Sequence, residues 1–208
     1  RDVSLVFDFI ERPYSPVRFK ELLVSPNEMK QKFIRLINEE IKNKQAGKPA
    51  YILIKINHIT DPVMVKKLYE ASSHGVRIDL LVRGNCSLIT GVPGVSDTIR
   101  INGIIDRYLE HSRIFIFANG GDEKMFIGSA DWMPRNLDNR VEVIAPVYDP
   151  EIKADLKRVV EYGLKDTLQG RVVDGTGENR PWISEDKTAF RSQEELYKYY
   201  LNENRIKD

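Results

Sequence analysis

The sequence predicts an α/β fold in which a mixed central sheet is flanked by helices, and three observations carry that reading. Residues 51–57 and 76–82 are apolar runs of strand length, separated by a stretch with helical periodicity. Strand, helix and strand in that order imply a right-handed crossover with the two strands parallel. Further on, Asn119-Gly120-Gly121-Asp122 lies between two apolar runs and reads as a β-hairpin, which adds antiparallel strands.

The elements follow in order. Residues 1–20 read as a connector: Leu5, Phe7 and Ile10 suggest the last turns of a helix that Pro13 and Pro16 end. A short strand is expected over residues 19–24. Ser25-Pro26-Asn27-Glu28 then has the form of a helix start, with Ser25 as cap, Pro26 in the first turn and Glu28 completing a capping box. Met29, Phe33, Leu36, Ile37 and Ile41 recur at helical spacing behind it, and Gly47-Lys48-Pro49 closes the element. The strand over 51–57 is interrupted only by Lys55. Asp61-Pro62 opens a helix with Val65, Leu68 and Tyr69 on one face, and Gly75 stops it before the strand over 76–82.

Residues 83–99 are rich in turn formers and read as a long loop, which in a compact domain is more often functional than filler. A helical segment over 107–113 is expected to hand over to the strand at 114–117, and the hairpin returns along 124–127. Alternation around Val141, Glu142, Val143, Ile144 and Ala145 marks another strand. Ile152, Leu156, Val159, Val160 and Leu164 mark a long closing helix. Residues 171–208 read as a polar tail with a short tyrosine-rich helix over 194–201, which leaves 21–170 as the α/β unit. No internal repeat is visible.

Composition narrows the function classes. Hydrophobic residues at 41% and charged residues at 30% are ordinary for a globular chain, and the formal net charge is +1. The whole-molecule field therefore favours neither nucleic acid nor a membrane surface, and any anion chemistry must come from local cation clusters. No run has the ~18 apolar residues of a membrane span. A single cysteine, Cys86, is expected as a small apolar filler in a reducing compartment, so the expectation is a cytoplasmic chain. The opening residues lack signal-peptide form and read as the middle of a longer chain.

Of three histidines, His58 follows a strand and His74 sits at a helix end beside Gly75, and both suit ordinary surface positions. No metal site is expected, because no His/Cys/Asp cluster has zinc-ligand spacing. His111 differs. It is followed by Arg113 two residues on, then by a short strand pair, then by the small polar turn Gly128-Ser129-Ala130-Asp131-Trp132-Met133-Pro134-Arg135-Asn136. An imidazole beside a cation, with hydroxyl and amide donors, is suited to a phosphoryl group, and this layout resembles the His-x-Lys arrangement of the phospholipase D superfamily. The other reading of His111 is a core histidine at a strand start. Ser129 and Asn136 are candidate donors to phosphate oxygens, and Asp131 is expected to brace the turn. Arg83 follows the strand over 76–82, where ligands of open α/β sheets gather, and Gly84 beside it would allow a phosphate close to the backbone. Lys55 either snorkels to an edge or points at an anion. Glu142 either orients the His111 imidazole or faces solvent.

The blocks Tyr-Leu-Glu-His-Ser-Arg-Ile-Phe (108–115), Ser-Ala-Asp-Trp-Met-Pro-Arg-Asn (129–136) and Leu-Leu-Val-Arg-Gly-Asn-Cys-Ser-Leu (80–88) closely resemble the last domain of the polyphosphate kinase family. So do Asn-Gly-Gly-Asp (119–122), Phe-Ile-Glu-Arg-Pro-Tyr (9–14) and Leu-Val-Ser-Pro (23–26). The resemblance implies a phospholipase-D-like half, the second of two that build a shared active site. It implies transfer of the terminal phosphate of ATP to inorganic polyphosphate, with Mg2+, through a phosphohistidine in the preceding catalytic domain. It further implies His111 as a second active-site histidine and Arg83 as an ATP contact. ATP, ADP and polyphosphate are then the partners, together with that preceding domain, in a homo-oligomeric and cytoplasmic parent enzyme whose membrane association stays open, and nucleic acid has no part.

The family's phosphate-accepting histidine lies in a Thr-His-x-Lys block, and no such block occurs in this sequence. Arg113 stands where the superfamily has lysine; it keeps the charge needed to hold phosphate but presents a planar fork. Two rival readings remain at this stage. One is a phospholipase-D-like phosphodiesterase or nuclease, which would have to find its second histidine motif by homodimerising. The other is a non-catalytic polyphosphate-binding module.

Overall fold

The computed structural model describes residues 1–13, 16–184 and 188–206. Tyr14, the end of the block at 9–14, lies outside the described residues.

One eight-stranded mixed sheet organises the chain, in the order β1-β7-β6-β5-β2-β3-β4-β8. Its strands are β1 (Leu23–Ser25), β2 (Tyr51–Ile56), β3 (Arg77–Val82), β4 (Ile99–Ile104), β5 (Ile114–Phe117), β6 (Lys124–Gly128), β7 (Glu142–Val147) and β8 (Gly170–Val172). β2, β3 and β4 are parallel, and every other pairing is antiparallel. The helices are α1 (Asp2–Glu11), α2 (Met29–Gln45), α3 (Pro62–Ser73), α4 (Pro150–Lys165) and α5 (Ser192–Ile206).

Strand alternation divides the core between the two faces of the sheet. Ile52, Ile54 and Ile56 join Phe33 and Ile37 of α2 and Met64 and Leu68 of α3 on one face. Leu53, Leu81, Ile114, Ile116 and Met125 meet Val160 of α4 on the other. Asp61 caps α3 as its Asp-Pro start predicts, accepting from the Val63 and Met64 amides at 3.0 Å each. Asp149 caps α4 in the same way.

Three local expectations are corrected, and one strand is added. Ser25 does not cap α2. It is the buried last residue of β1, and its hydroxyl donates to the carbonyls of Asn136 and Arg140, so a tertiary partner displaces the local capping role. The expected strand over 19–24 is accordingly shorter and ends later, at Leu23–Ser25. Residues 107–113 form no helix. The Tyr108 backbone pairs with the Gln193 side chain, and Ile105 and Leu109 are exposed, so no apolar face favours a helix there. Finally, β4 follows the irregular stretch unannounced. Its Asn102-Gly103 pair has the look of a turn. Here Asn102 is fully buried, its amide donating to the Gly163 carbonyl at 3.0 Å, and a side chain on Gly103 would run into Val173. Past Gly170 the chain adds β8 to the sheet edge, buries Trp182 and packs α5 against α4.

Candidate functional site

The topology gathers chemistry-bearing residues at one edge of the sheet. β2 and β3 are parallel, and Asn57, His58 and Arg83 follow their carboxyl ends. β5 runs against β2, so Arg113, just before it, returns to the same edge. Ser129, just after β6, and Glu142, which opens β7, arrive there for the same reason. Together with His111, Asp131, Arg135, Asn136 and Arg140 they line a cleft of about 430 Å³.

Asp131 is the structural centre of this cleft. Trp132 beside it is fully buried against Phe33 and Phe115, with ring centroids 5.2 and 5.8 Å away. Its backbone bonds residues 58–61 on both sides: the Trp132 amide donates to the His58 carbonyl, and the Trp132 carbonyl accepts from Thr60 and Asp61. Anchored in this way, one Asp131 oxygen accepts from the Asn57 amide at 3.0 Å and from Arg113 Nε at 3.2 Å, and the other accepts from the Arg113 fork at 3.0 Å. Asp131 thus braces the end of β2 and holds Arg113 by two bonds, a planar arrangement that lysine could not make.

Arg113 in turn fixes His111. One guanidinium nitrogen donates to the His111 carbonyl at 2.8 Å and to ring Nδ1 at 2.6 Å. A guanidinium has no acceptor, so Nδ1 accepts and the ring proton of the neutral imidazole sits on Nε2. Nε2 is then the ring atom left to meet a ligand. Arg113 is therefore a support of His111 held by Asp131, with two of its donors directed inward.

Glu142 is buried and does not orient His111. One of its oxygens takes the Ser129 hydroxyl and the other takes the Asn136 amide at 2.7 Å. Ser129 and Asn136 are thereby tied down as a wall of the cleft. Gly128 makes this possible, because any side chain there would collide with the Val143 carbonyl and the Ile144 backbone. Arg83 gives its Nε to the Asn57 side-chain carbonyl at 2.7 Å, and its two terminal nitrogens carry no bond among the described residues. Gly84 is needed by a neighbouring ring, since a side chain there would lie 2.4 Å from His58 Cε1.

Lys55 sits apart from the cleft. Nine per cent exposed, it pairs with Glu110 rather than snorkelling to an edge. His74 binds the Glu70 carbonyl at the end of α3, and burial pushes the Cys86 thiol up, so neither belongs to the site.

Three residues of the cleft escaped the sequence reading. His58 faces the site, with Nδ1 accepting the Asn85 amide at 2.9 Å. Arg135 and Arg140 line the opening, at either end of a π-helical turn (Arg135–Asn139). The available signal was two arginines, Arg135 and Arg140, within and just after the block at 129–136. Four arginines thus face two carboxylates in the cleft, and both carboxylates are already engaged. The donor set does not form a metal cradle either. Among the described residues no group of three His, Cys, Asp or Glu is placed to hold a metal ion. The chemistry on offer is an imidazole Nε2 donor surrounded by guanidinium groups, which suits a polyanion.

Comparison with known proteins gives a consistent result. Residues 22–193 match the family model described as polyphosphate kinase C-terminal domain 2. The polyphosphate kinase of Escherichia coli K12 is 44% identical over 198 residues, which is 95% of this chain and 29% of that protein. The crystal structure of a polyphosphate kinase from Porphyromonas gingivalis superimposes with a TM-score of 0.92 at 39% identity, over 99% of this chain and 32% of that one. Nuc from Salmonella typhimurium, a phospholipase D family member, matches at a TM-score of 0.52 and 15% identity over 74% of this chain and 97% of its own, and it shares the fold. The chain therefore spans less than a third of the length of the polyphosphate kinases it matches. No helix among the described residues is long and apolar enough to cross a membrane.

Proposed function

The chain belongs to the polyphosphate kinase family, as its C-terminal domain 2, and from that premise we propose that it supplies one half of a site that moves the terminal phosphate of ATP to inorganic polyphosphate. The other half is a preceding catalytic domain of the same protein, which carries the histidine that is phosphorylated. In the first step the histidine nitrogen of that domain bonds to the γ-phosphorus while the bond to the β-bridging oxygen breaks, and ADP leaves. In the second, a terminal oxygen of polyphosphate attacks the same phosphorus and the nitrogen–phosphorus bond breaks. Each step runs in reverse by the same route.

The observation that carries this reading is the His111–Arg113–Asp131 chain, which presents a fixed Nε2 donor inside an arginine-rich cleft. Phosphoryl transfer requires little of a protein beyond positioning and charge stabilisation. Nε2–H would donate a hydrogen bond to the oxygen that gains charge as ADP departs. Arg83, Arg135 and Arg140 would neutralise the non-bridging oxygens of ATP or of the chain. Ser129 and Asn136 act at one remove, because Glu142 already holds them. Magnesium enters with ATP as its counter-ion, and the engaged carboxylates of this half give it no seat. A cytoplasmic parent enzyme fits the use of ATP.

The test has two arms. The longer enzyme containing this segment, given ATP, magnesium and polyphosphate, should lengthen the chain and form an acid-labile phosphoprotein. The 208-residue chain alone should do neither, since it has no Thr-His-x-Lys block. Chain growth by the segment alone would overturn the half-site reading. Phosphodiester hydrolysis by a dimer of the segment, without polyphosphate synthesis, would replace it with a phospholipase-D-like reaction. Tight polyphosphate binding with an inert longer enzyme would leave a binding module.

A further inference from the structure

His111 stands in a segment, residues 105–113, that has neither helix nor strand. Nor does apolar packing hold it, because Ile105, Tyr108 and Leu109 are 78%, 61% and 75% exposed. A reacting group must stay within about 0.5 Å of its productive position, so such a segment needs bracing from outside. Arg113 braces the downstream side. The upstream side is braced from far along the chain, by the start of α5.

That start is itself firmly anchored. The Ser192 amide and hydroxyl both bond the buried Asp166 carboxylate, at 2.8 and 2.7 Å, and the Phe190 carbonyl accepts the Thr167 amide at 3.0 Å. From this base Arg191 grips Asp106 through two nitrogens, at 3.0 and 2.6 Å. The same fork holds the Asp106 carboxyl below the usual carboxylate range. Gln193 imitates a neighbouring strand. Its oxygen accepts the Tyr108 amide at 2.9 Å, and its nitrogen donates to the Tyr108 carbonyl at 2.8 Å and to Glu110 at 2.9 Å. The second oxygen of Glu110 takes Lys55 from β2. The residue directly before His111 is thus tied to the sheet and to α5 at once. The family match extends to residue 193 and so takes in this clamp.

We propose that Gln193, assisted by Arg191, is a positioning residue for His111, holding residues 106–110 so that the imidazole meets the transferring phosphoryl group. The inference rests on the reading of His111 as a reacting group. Gln193 touches no substrate in this scheme, so its loss should lower kcat and leave the arginine-dependent KM for ATP alone.

The experiment is ATP and polyphosphate kinetics on the longer enzyme, with Gln193→Ala, Gln193→Glu and Lys198→Ala in wild-type and His111→Gln backgrounds. Gln193→Ala should reduce kcat roughly ten- to a hundredfold, the scale expected when a reacting group is misplaced by an ångström. KM for ATP should stay within about twofold. Gln193→Glu, which can still accept from Tyr108 but sets a second carboxylate against Glu110, should lose at least as much as Gln193→Ala. Lys198→Ala, which alters only a surface pair with Glu195 on the same helix, should match wild type. In the His111→Gln background Gln193→Ala should add nothing, because groups acting through one another are not additive. An equal loss in both backgrounds, a rise in KM alone, or unchanged kcat would overturn the proposal. Full turnover by His111→Gln itself would remove the reading on which the proposal stands, and that outcome is distinct from a neutral Gln193 beside a crippled His111.

Discussion

The two ends of the central sheet offer two concave surfaces, and the larger one has the less reactive chemistry. At the hairpin end a groove of about 570 Å³ is lined by Lys20, Lys32, Arg35, Lys124 and Lys153, with Glu21, Glu39, Asp122 and Glu123 among them. Several of its charged groups are engaged internally. Lys32 donates to the Phe19 and Leu22 carbonyls, Lys153 donates to the Glu123 carbonyl, and Glu21 takes the Tyr148 hydroxyl. At the other end the carboxylates are consumed in bracing, and the arginine forks of Arg83, Arg135 and Arg140 face the opening. Volume does not separate the two surfaces. What separates them is whether positive charge is left over once the local hydrogen bonds are made.

The largest effect that would test this contrast is on His111. His111→Gln in the longer enzyme should lower turnover by ~10²–10³-fold, the usual cost of removing one preorganised donor aimed at developing charge. The fold should survive, because the ring is exposed and its one side-chain partner among the described residues is Arg113. Turnover within about twofold of wild type, with an unchanged melting temperature, would reduce the cleft to a charged surface like the groove. Next in size is Asp131→Ala. It leaves Arg113, with only 10% of its side chain exposed, without its anionic partner, and it frees the Asn57 amide. Breaking such a buried pair typically costs about 3–5 kcal/mol. Denaturant unfolding should show a loss on that scale, whereas a loss under about 1 kcal/mol would mean that Asp131 does not organise this end.

How much of this was legible before the structure follows from the range of each interaction. The Asp61-Pro62 start, the apolar run of β2 and the Asn119–Asp122 hairpin are written in neighbouring residues, and they form as read. Arg83 and His111 were visible as the two ends of one cleft only through long sequence blocks. Other features depend on partners that no window contains. Ser25 exchanges its capping role for carbonyls more than a hundred residues away, |i−j| being 111 and 115. Lys55 finds Glu110 at a separation of 55. His58 looked like an isolated histidine after a strand because only the β2–β5–β6 pairing brings it beside Asp131, and only the β2–β3 pairing brings it towards Arg83. Glu142, read either as an orienter of His111 or as a solvent-facing residue, instead ties Ser129 and Asn136 together from the opening residue of β7.

Arg83 sharpens the comparison on the binding side. Charge-assisted bonds to phosphate oxygens contribute roughly 1.5–3 kcal/mol, so Arg83→Ala should weaken ATP handling about ten- to a hundredfold. Arg83→Lys should recover part of that loss, since lysine keeps the charge but cannot hold Asn57 and a phosphate with one planar group. ATP saturation curves for both variants, beside thermal melts, make the measurement. Unaltered ATP dependence in both would make Arg83 a loop residue bonded to Asn57 and nothing more.

The smallest expected effect lies at the far groove, and it is the one best able to break the comparison. Arg35 and Lys124 are exposed there. The six residues of β2 that separate the two ends of the sheet span ~20 Å at about 3.3 Å per residue. That is more than twice the ~8 Å over which exposed charges act at physiological salt. Arg35→Ala with Lys124→Ala should therefore leave kcat and KM for ATP within about twofold, and should change stability by no more than about 0.5 kcal/mol. The polyphosphate chain is the more searching substrate, because a long polyanion could reach around the domain where ATP cannot. KM should be measured with short and with long polyphosphate. Equal values for the double variant and the wild type at both lengths would confine anion binding to the cleft end. A rise confined to long chains would mean that the mixed charges of the groove still guide a polyanion, and that counting unpaired cations understates what such a surface can hold.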